Sequence, residues 1–321
     1  MKNYIKILTI ILLTTFFASC ENDNDNVVCC DGSSIVDLAS ETESLSTLVS
    51  ALQLTGLDDI LSASGSFTVL APTNDAFDNF LSSLGANSIT DIPNDILANV
   101  LMNHVILGQI PSNSLTNGYT YTQAISNSSQ TNMSIYINVD NGVTFNGISS
   151  VISSDIIASN GIVHIVDGVI GLPSVVTFAL ADPNFNLLVQ ALTRDDLTQD
   201  FVALLSTQSE PPTPFTVFAP VDGAFSSLLD ELGLSSLNDI DEPTLSAVLA
   251  YHVISGSNQF SINLSDGMQF STYGGEALTY VVSDSGQGTL VDNNERESYI
   301  ILVDVQADNG IIHAIDTVVL P

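Results

Sequence analysis

Apolar residues recur along this chain at two spacings, and each pattern returns in a second copy. At helical spacing, Phe77, Phe80, Leu81 and Leu84 occupy i, i+3, i+4 and i+7, with Gly85 as a stop. Just ahead of them, Phe67-Thr68-Val69-Leu70-Ala71-Pro72 predicts a short strand ending at a proline corner. The same strand and corner return 148 residues later as Phe215-Thr216-Val217-Phe218-Ala219-Pro220. The helix follows again, as Phe225, Leu228, Leu229 and Leu232 with Gly233 closing. A period this long predicts a duplicated domain, because solenoid units repeat every ~20–50 residues. Val221 has no side-chain acceptor where the first copy has Thr73, so the shared helix cap is expected at Asn74 and Asp222.

The flanking pattern is duplicated as well. Leu45, Leu48, Val49 and Leu52 predict a helix that Phe185, Leu188, Val189 and Leu192 repeat at an offset of 140, and Leu57 to Leu61 predicts a shorter one. The eight residues separating the two offsets are expected in the proline-rich run Gln208 to Pro214. A later helix carries Leu97, Val100, Leu101 and His104, and its copy carries Leu245, Val248, Leu249 and His252. The remainder is strand-like. Ile135, Ile137 and Val139 alternate up to Asn141-Gly142, and Asn160-Gly161 separates two more apolar runs; both pairs read as type I′ hairpin turns. Asn309-Gly310 repeats the latter. Four segments result: a leader over 1–19, a spacer over 20–34, and domains over 35–173 and 174–321. The linker at Ser174 to Thr177 is short and apolar, so the domains are expected to pack with limited freedom.

Lys2 and Lys6 precede an apolar run, Ile7 to Phe17, shorter than the ~20 residues of a spanning helix. It ends in Phe17-Ala18-Ser19-Cys20, which resembles a bacterial lipobox; cleavage there leaves Cys20 as a lipid-carrying N-terminus. The plainer reading is an ordinary secretory peptide. The Asn- and Asp-rich spacer resembles the acidic segments that follow the lipidated cysteine in some surface-exported bacterial lipoproteins. Together these predict a lipid-anchored envelope protein on the outer membrane, with surface display. Asp23-Asn24-Asp25-Asn26 lacks the central glycine and distal glutamate of an EF-hand loop. Cys29 and Cys30 are the only other cysteines, so neither domain holds a disulfide.

Without its leader the chain keeps Arg194 and Arg296 against 36 acidic residues, a net charge of −34. That excludes nucleic acid as a partner and attracts cations. Solubility accounts for the charge more simply than weak divalent-cation bridging between acidic surfaces, and no metal site or cofactor is expected beyond that. Enzymatic patterns are missing. The chain has no Gly-x-Ser-x-Gly, His-Glu-x-x-His or Cys-x-x-Cys, and few cationic groups to clamp an oxyanion. All four histidines fall in repeated blocks, which invites a metal pair or a general base. Position favours packing: His104 and His252 continue apolar helix stripes, while His164 and His313 sit in apolar strands. A buried imidazole needs only a carboxylate or carbonyl partner, for which Asp167 and Asp316 are the candidates.

Three ordered blocks thus occur twice. Phe67 to Phe77 is the first, and Asn103-His104-Val105-Ile106 with Tyr251-His252-Val253-Ile254 the second. The third is Asn160-Gly161-Ile162-Val163-His164-Ile165-Val166-Asp167, with Asn309-Gly310-Ile311-Ile312-His313-Ala314-Ile315-Asp316. They resemble the fasciclin (FAS1) family over nearly everything after the spacer. The resemblance implies an α/β (α+β) chain of two tandem fasciclin-like domains, each a wedge-shaped, mostly antiparallel β-sandwich with packed helices. It also implies adhesion to a surface protein or polysaccharide, with Tyr251 and His252 as the contact pair. Asn103 stands where the family pattern has tyrosine, so that role does not extend to the first copy. The alternative function is a periplasmic or outer-membrane accessory holding a small apolar ligand or an envelope partner, which a defined apolar pocket would favour.

Overall fold

The computed structural model describes residues 32–208 and 210–321. The leader, Cys20, the Cys29-Cys30 pair and the spacer up to residue 31 lie outside the described residues. In the first domain α1 (Ile35–Glu41), α2 (Ser46–Thr55) and α3 (Leu57–Ser62) lead into β1 (Phe67–Pro72). Helices α4 (Asn74–Leu84) and α5 (Asn94–Met102) follow, then β2 (Val105–Leu107), β3 (Gly118–Ile125) and β4 (Asn132–Asn138). Strands β5 (Thr144–Phe145), β6 (Ser149–Ala158) and β7 (Gly161–Val166) complete it. The second domain repeats the order with α6 (Val175–Ala181), α7 (Asn186–Leu192), α8 (Phe201–Ser206), β8 (Phe215–Pro220), α9 (Asp222–Leu232) and α10 (Glu242–Tyr251). Its remaining strands are β9 (Val253–Ser255), β10 (Met268–Ser271), β11 (Ala277–Val282), β12 (Gly288–Val291), β13 (Glu297–Gln306) and β14 (Gly310–Ile315).

Each domain has one seven-stranded sheet, ordered β2-β1-β7-β6-β5-β4-β3 and, in the second, β9-β8-β14-β13-β12-β11-β10. All neighbours are antiparallel except β1 with β7 and β8 with β14. Alternation along β1 explains the layering, since successive side chains leave opposite faces of a strand. Val69 and Ala71 pack on Leu48, Leu97 and Val100 of the helices. Leu70 points the other way, onto Ile135, Phe145 and Val166, so the two ends of the sheet close over a second core. The bend comes from β6, whose pairing with β7 slips twice and whose Asp155 has a φ of +61°. Such bulges turn a strand. Asp304 repeats it in β13 with a φ of +59°.

Several expectations need correction. Helix α4 is capped by Thr73, whose hydroxyl accepts from Ala76 N, and α9 has Val221 at the N-cap position with no side-chain cap. Asn74 and Asp222 are the first helical residues instead. Their side chains accept from Thr47 N (2.9 Å) and Leu187 N (2.7 Å), so each caps an earlier helix, α2 or α7, from outside. The missing cap in one copy did not move the cap in the other.

The hairpins expected at Asn160-Gly161 and Asn309-Gly310 are present as β6–β7 and β13–β14, but neither these pairs nor Asn141-Gly142 form type I′ turns, which need positive φ at both residues. Of Asn141-Gly142 only the glycine has it. Gly161 is a strand residue opposite Phe67, where a Cβ would lie 2.3 Å from the Phe67 carbonyl oxygen. Gly310 sits likewise 2.4 Å from that of Phe215. The adjacent amides tie helices together. Asn160 donates to Leu61 O and Ala63 O and accepts from Ile35 N. Asn309 does the same with Leu205 O, Thr207 O and Val175 N.

The extra residues of the second copy are split. The third helix is offset by 144, from Leu57 to Phe201, so half of them fall in the loop between α7 and α8 rather than in the proline-rich run. Ser174 to Thr177 is not a linker. It is a capping box and the first turn of α6.

Candidate functional site

Each histidine was expected to be structural, and each is buried in the core of its domain. The partners differ from those expected. His104 Nδ1 lies 2.8 Å from Val100 O while its Nε2 accepts from Ile170 N, and His252 repeats this with Val248 O and Val319 N. His164 accepts from Asp155 N and His313 from Asp304 N. Their other nitrogens meet Ile110 O and Gln259 O. Asp167 and Asp316 instead accept from Ser150 N and Tyr299 N, which closes the β6–β7 and β13–β14 pairings. A main-chain partner satisfies an imidazole inside a sheet more cheaply than a buried carboxylate does. Burial pushes the pKa of His104 and of His252 down to about 4, against a smaller upward effect of the Val100 or Val248 carbonyl. These rings are neutral at pH 7.

The contact pair implied for Tyr251 and His252 is overturned by burial, at 1% and 3% exposure. Tyr251 packs against Phe218, Leu278 and Leu290, and its hydroxyl donates to Ala277 O at 2.7 Å. Asn103 holds the equivalent place in the first domain through bonds to Gly171 O and Thr122 Oγ1. Neither pair reaches a partner from the folded state.

What the fold brings together is a polar seam between the domains. Strand β4 was expected to alternate, yet Ser134 and Tyr136 are buried as fully as Ile135 and Ile137, because their face meets the second domain. Ser134 Oγ accepts from Gln306 N at 2.9 Å. Asn127 N donates to Asp308 Oδ1 at 2.8 Å, and Ser126 Oγ donates to Asp308 O at 3.0 Å. Asn258 Nδ2 donates to Ser128 Oγ. Beyond these polar contacts, the Tyr119 ring meets Phe178 edge-on with centroids 5.6 Å apart, and its hydroxyl donates to Asp182 Oδ2. Burial, reinforced by the Asp182 charge, pushes the Tyr119 hydroxyl pKa up, so it stays a donor.

No reading of motifs singled these residues out, because they are where the two copies differ. Gln306 and Asp308 stand where the first domain has Ile157 and Ser159, two polar changes in otherwise apolar or neutral positions. Comparing copies for lost hydrophobicity was the available signal.

Beside the seam lies a cleft of about 500 Å³, with residues of both domains in its walls. The enclosed apolar cavities under the helices are far smaller, about 20 Å³ and about 10 Å³. Among the described residues no three His, Cys, Asp or Glu side chains cluster to hold a metal ion.

The fasciclin domain family matches residues 43–173 and 183–321. An uncharacterized protein of Synechocystis sp. is 34% identical over 149 residues, 46% of this chain and 98% of that protein. Human periostin is 28% identical over 83% of this chain, which spans 29% of periostin's length. Among solved structures, a FAS1 domain pair from the insect cell adhesion molecule Fasciclin I aligns with a TM-score of 0.51 at 21% identity. That alignment covers 88% of this chain and 98% of the insect pair.

Proposed function

We propose that this chain, which belongs to the fasciclin family, is an adhesive envelope protein tethered by a lipid on Cys20 and contacting a surface protein or polysaccharide through its paired domains. Fasciclin domains occur in cell adhesion proteins, among them the insect molecule whose domain pair shares this fold. One observation favours adhesion over the carrying of a small apolar ligand: the cores are closed. The two enclosed apolar cavities hold at most about one water each, whereas ligand pockets run to roughly 300–1,000 Å³. The tether rests on the Phe17-Ala18-Ser19-Cys20 sequence, and outer-membrane display on the acidic spacer behind it. Among the described residues no single helix is long and apolar enough to cross a membrane.

The test uses the chain from residue 29 onward with Cys29→Ser and Cys30→Ser, coupled to beads by one end. Beads are mixed with calcium, with chelator, and with added polysaccharide. Clumping in calcium alone supports contact between acidic faces, and clumping only with polysaccharide supports a glycan partner. No clumping in any arm contradicts adhesion. Palmitate labelling of the full chain, lost in Cys20→Ala, tests the tether.

A further inference from the structure

The cleft beside the seam has a composition of its own. Tyr121 and Phe260 supply aromatic faces, one from each domain, and Tyr121 is exposed. Around them stand the Gln123 and Asn132 amides and the Thr131 hydroxyl. Gln306 lines it too, 1% exposed, and its Oε1 has no hydrogen-bond partner among the described residues. Its Nε2 is committed to Ala307 O and Gly310 O. A buried acceptor left without a donor costs about 1–3 kcal/mol, so the wall of the cleft at Gln306 is short of one hydroxyl or N–H group.

Charge narrows what the cleft takes. The only cations in the described chain are held elsewhere, Arg194 by Asp196 and Arg296 by Glu231, so nothing in the cleft balances an anion. The one carboxylate lining it, on Asp304, already accepts from Ser261 N and Oγ. A ligand that stacks apolar C–H faces on rings, offers hydroxyls to amides and carries no charge is a sugar.

We propose that the cleft between the domains binds a neutral saccharide, with Tyr121 and Phe260 as stacking platforms and sugar hydroxyls bonded to the Gln123 and Asn132 amides. The inference rests on the adhesive reading and names its ligand class. Soluble two-domain protein is titrated with maltohexaose, cellohexaose, mannohexaose and chitohexaose, and binding is read by saturation-transfer NMR. At least one hexasaccharide binds, and Tyr121→Ala and Phe260→Ala each weaken it tenfold or more. Tyr299→Ala, an exposed ring on β13 outside the cleft, leaves it unchanged. Thermal melts confirm that each variant is folded. If none of the four binds, or Tyr121→Ala binds as well as the parent, the cleft is not a saccharide site, even when beads still clump. Binding without any clumping upholds the site and removes the adhesive reading.

Discussion

The amide nitrogen of Asn127, in the first domain, lies 2.8 Å from Oδ1 of Asp308 in the second. This bond anchors a buried carboxylate across the seam, and the Asn127 side chain reaches the other oxygen. Hydrogen bonds to charged groups are worth more than neutral ones, and they fix an angle between partners that apolar packing alone leaves loose.

Truncating that buried carboxylate removes the charge-assisted bonds it accepts from the backbone and side chain of Asn127. Asp308→Ala is expected to lower stability by roughly 1–3 kcal/mol, measured by urea unfolding. Asp308→Ser, which restores the residue of the first copy, recovers only part of the loss.

Close strand approach sets a second test. Gly161→Ala and Gly310→Ala place a Cβ within 2.3 and 2.4 Å of a carbonyl oxygen, and must push β1 from β7 or β8 from β14. A loss of about 1–3 kcal/mol or more is expected for each. Gly223→Ala, in the first turn of α9 with open space around it, should be neutral or stabilising within ~1 kcal/mol.

The histidines give stability a pH dependence. The pKa of both His104 and His252 is lower folded than unfolded, so the unfolded chain takes up protons first as pH falls. Their contribution is complete above about pH 6.5 and is lost as pH drops towards about 4. The loss is roughly 3 kcal/mol for each ring. His252→Gln should be weaker at pH 7 yet show a shallower fall between pH 6.5 and 4.5. An unchanged slope would remove His252 from this account.

Because Tyr251 is interior, Tyr251→Phe should cost about 1 kcal/mol through the lost bond to Ala277 O. Bead clumping by the folded variant should match the parent. Reduced clumping at equal folding would restore this residue as a contact.

Much of the fold was legible in the sequence because both copies obey the same rules. The apolar stripe through Phe77 and Leu81, its Gly85 stop and the strand before it are local signals, and all are found in place. Local signals fail where a neighbour supplies the partner. Asn74 caps a helix 27 residues earlier, Asn160 ties helices together from within the β6–β7 turn, and Ser134 is buried against the other domain. The seam was the least legible part. Gln306 and Asp308 break the repeat, and a reading built on what the copies share passes over what they do not.

The adhesive face and the cleft both require that the two domains form one body. The most direct measurement places spin labels at Ser50→Cys on α2 and Ser226→Cys on α9, in protein from residue 29 onward carrying Cys29→Ser and Cys30→Ser. Double electron–electron resonance then reads the distance between domains. A single narrow distribution, broadened by Asp308→Ala, is the expected result. A broad or multiple distribution in the parent protein would mean that the domains swing, and would contradict the account.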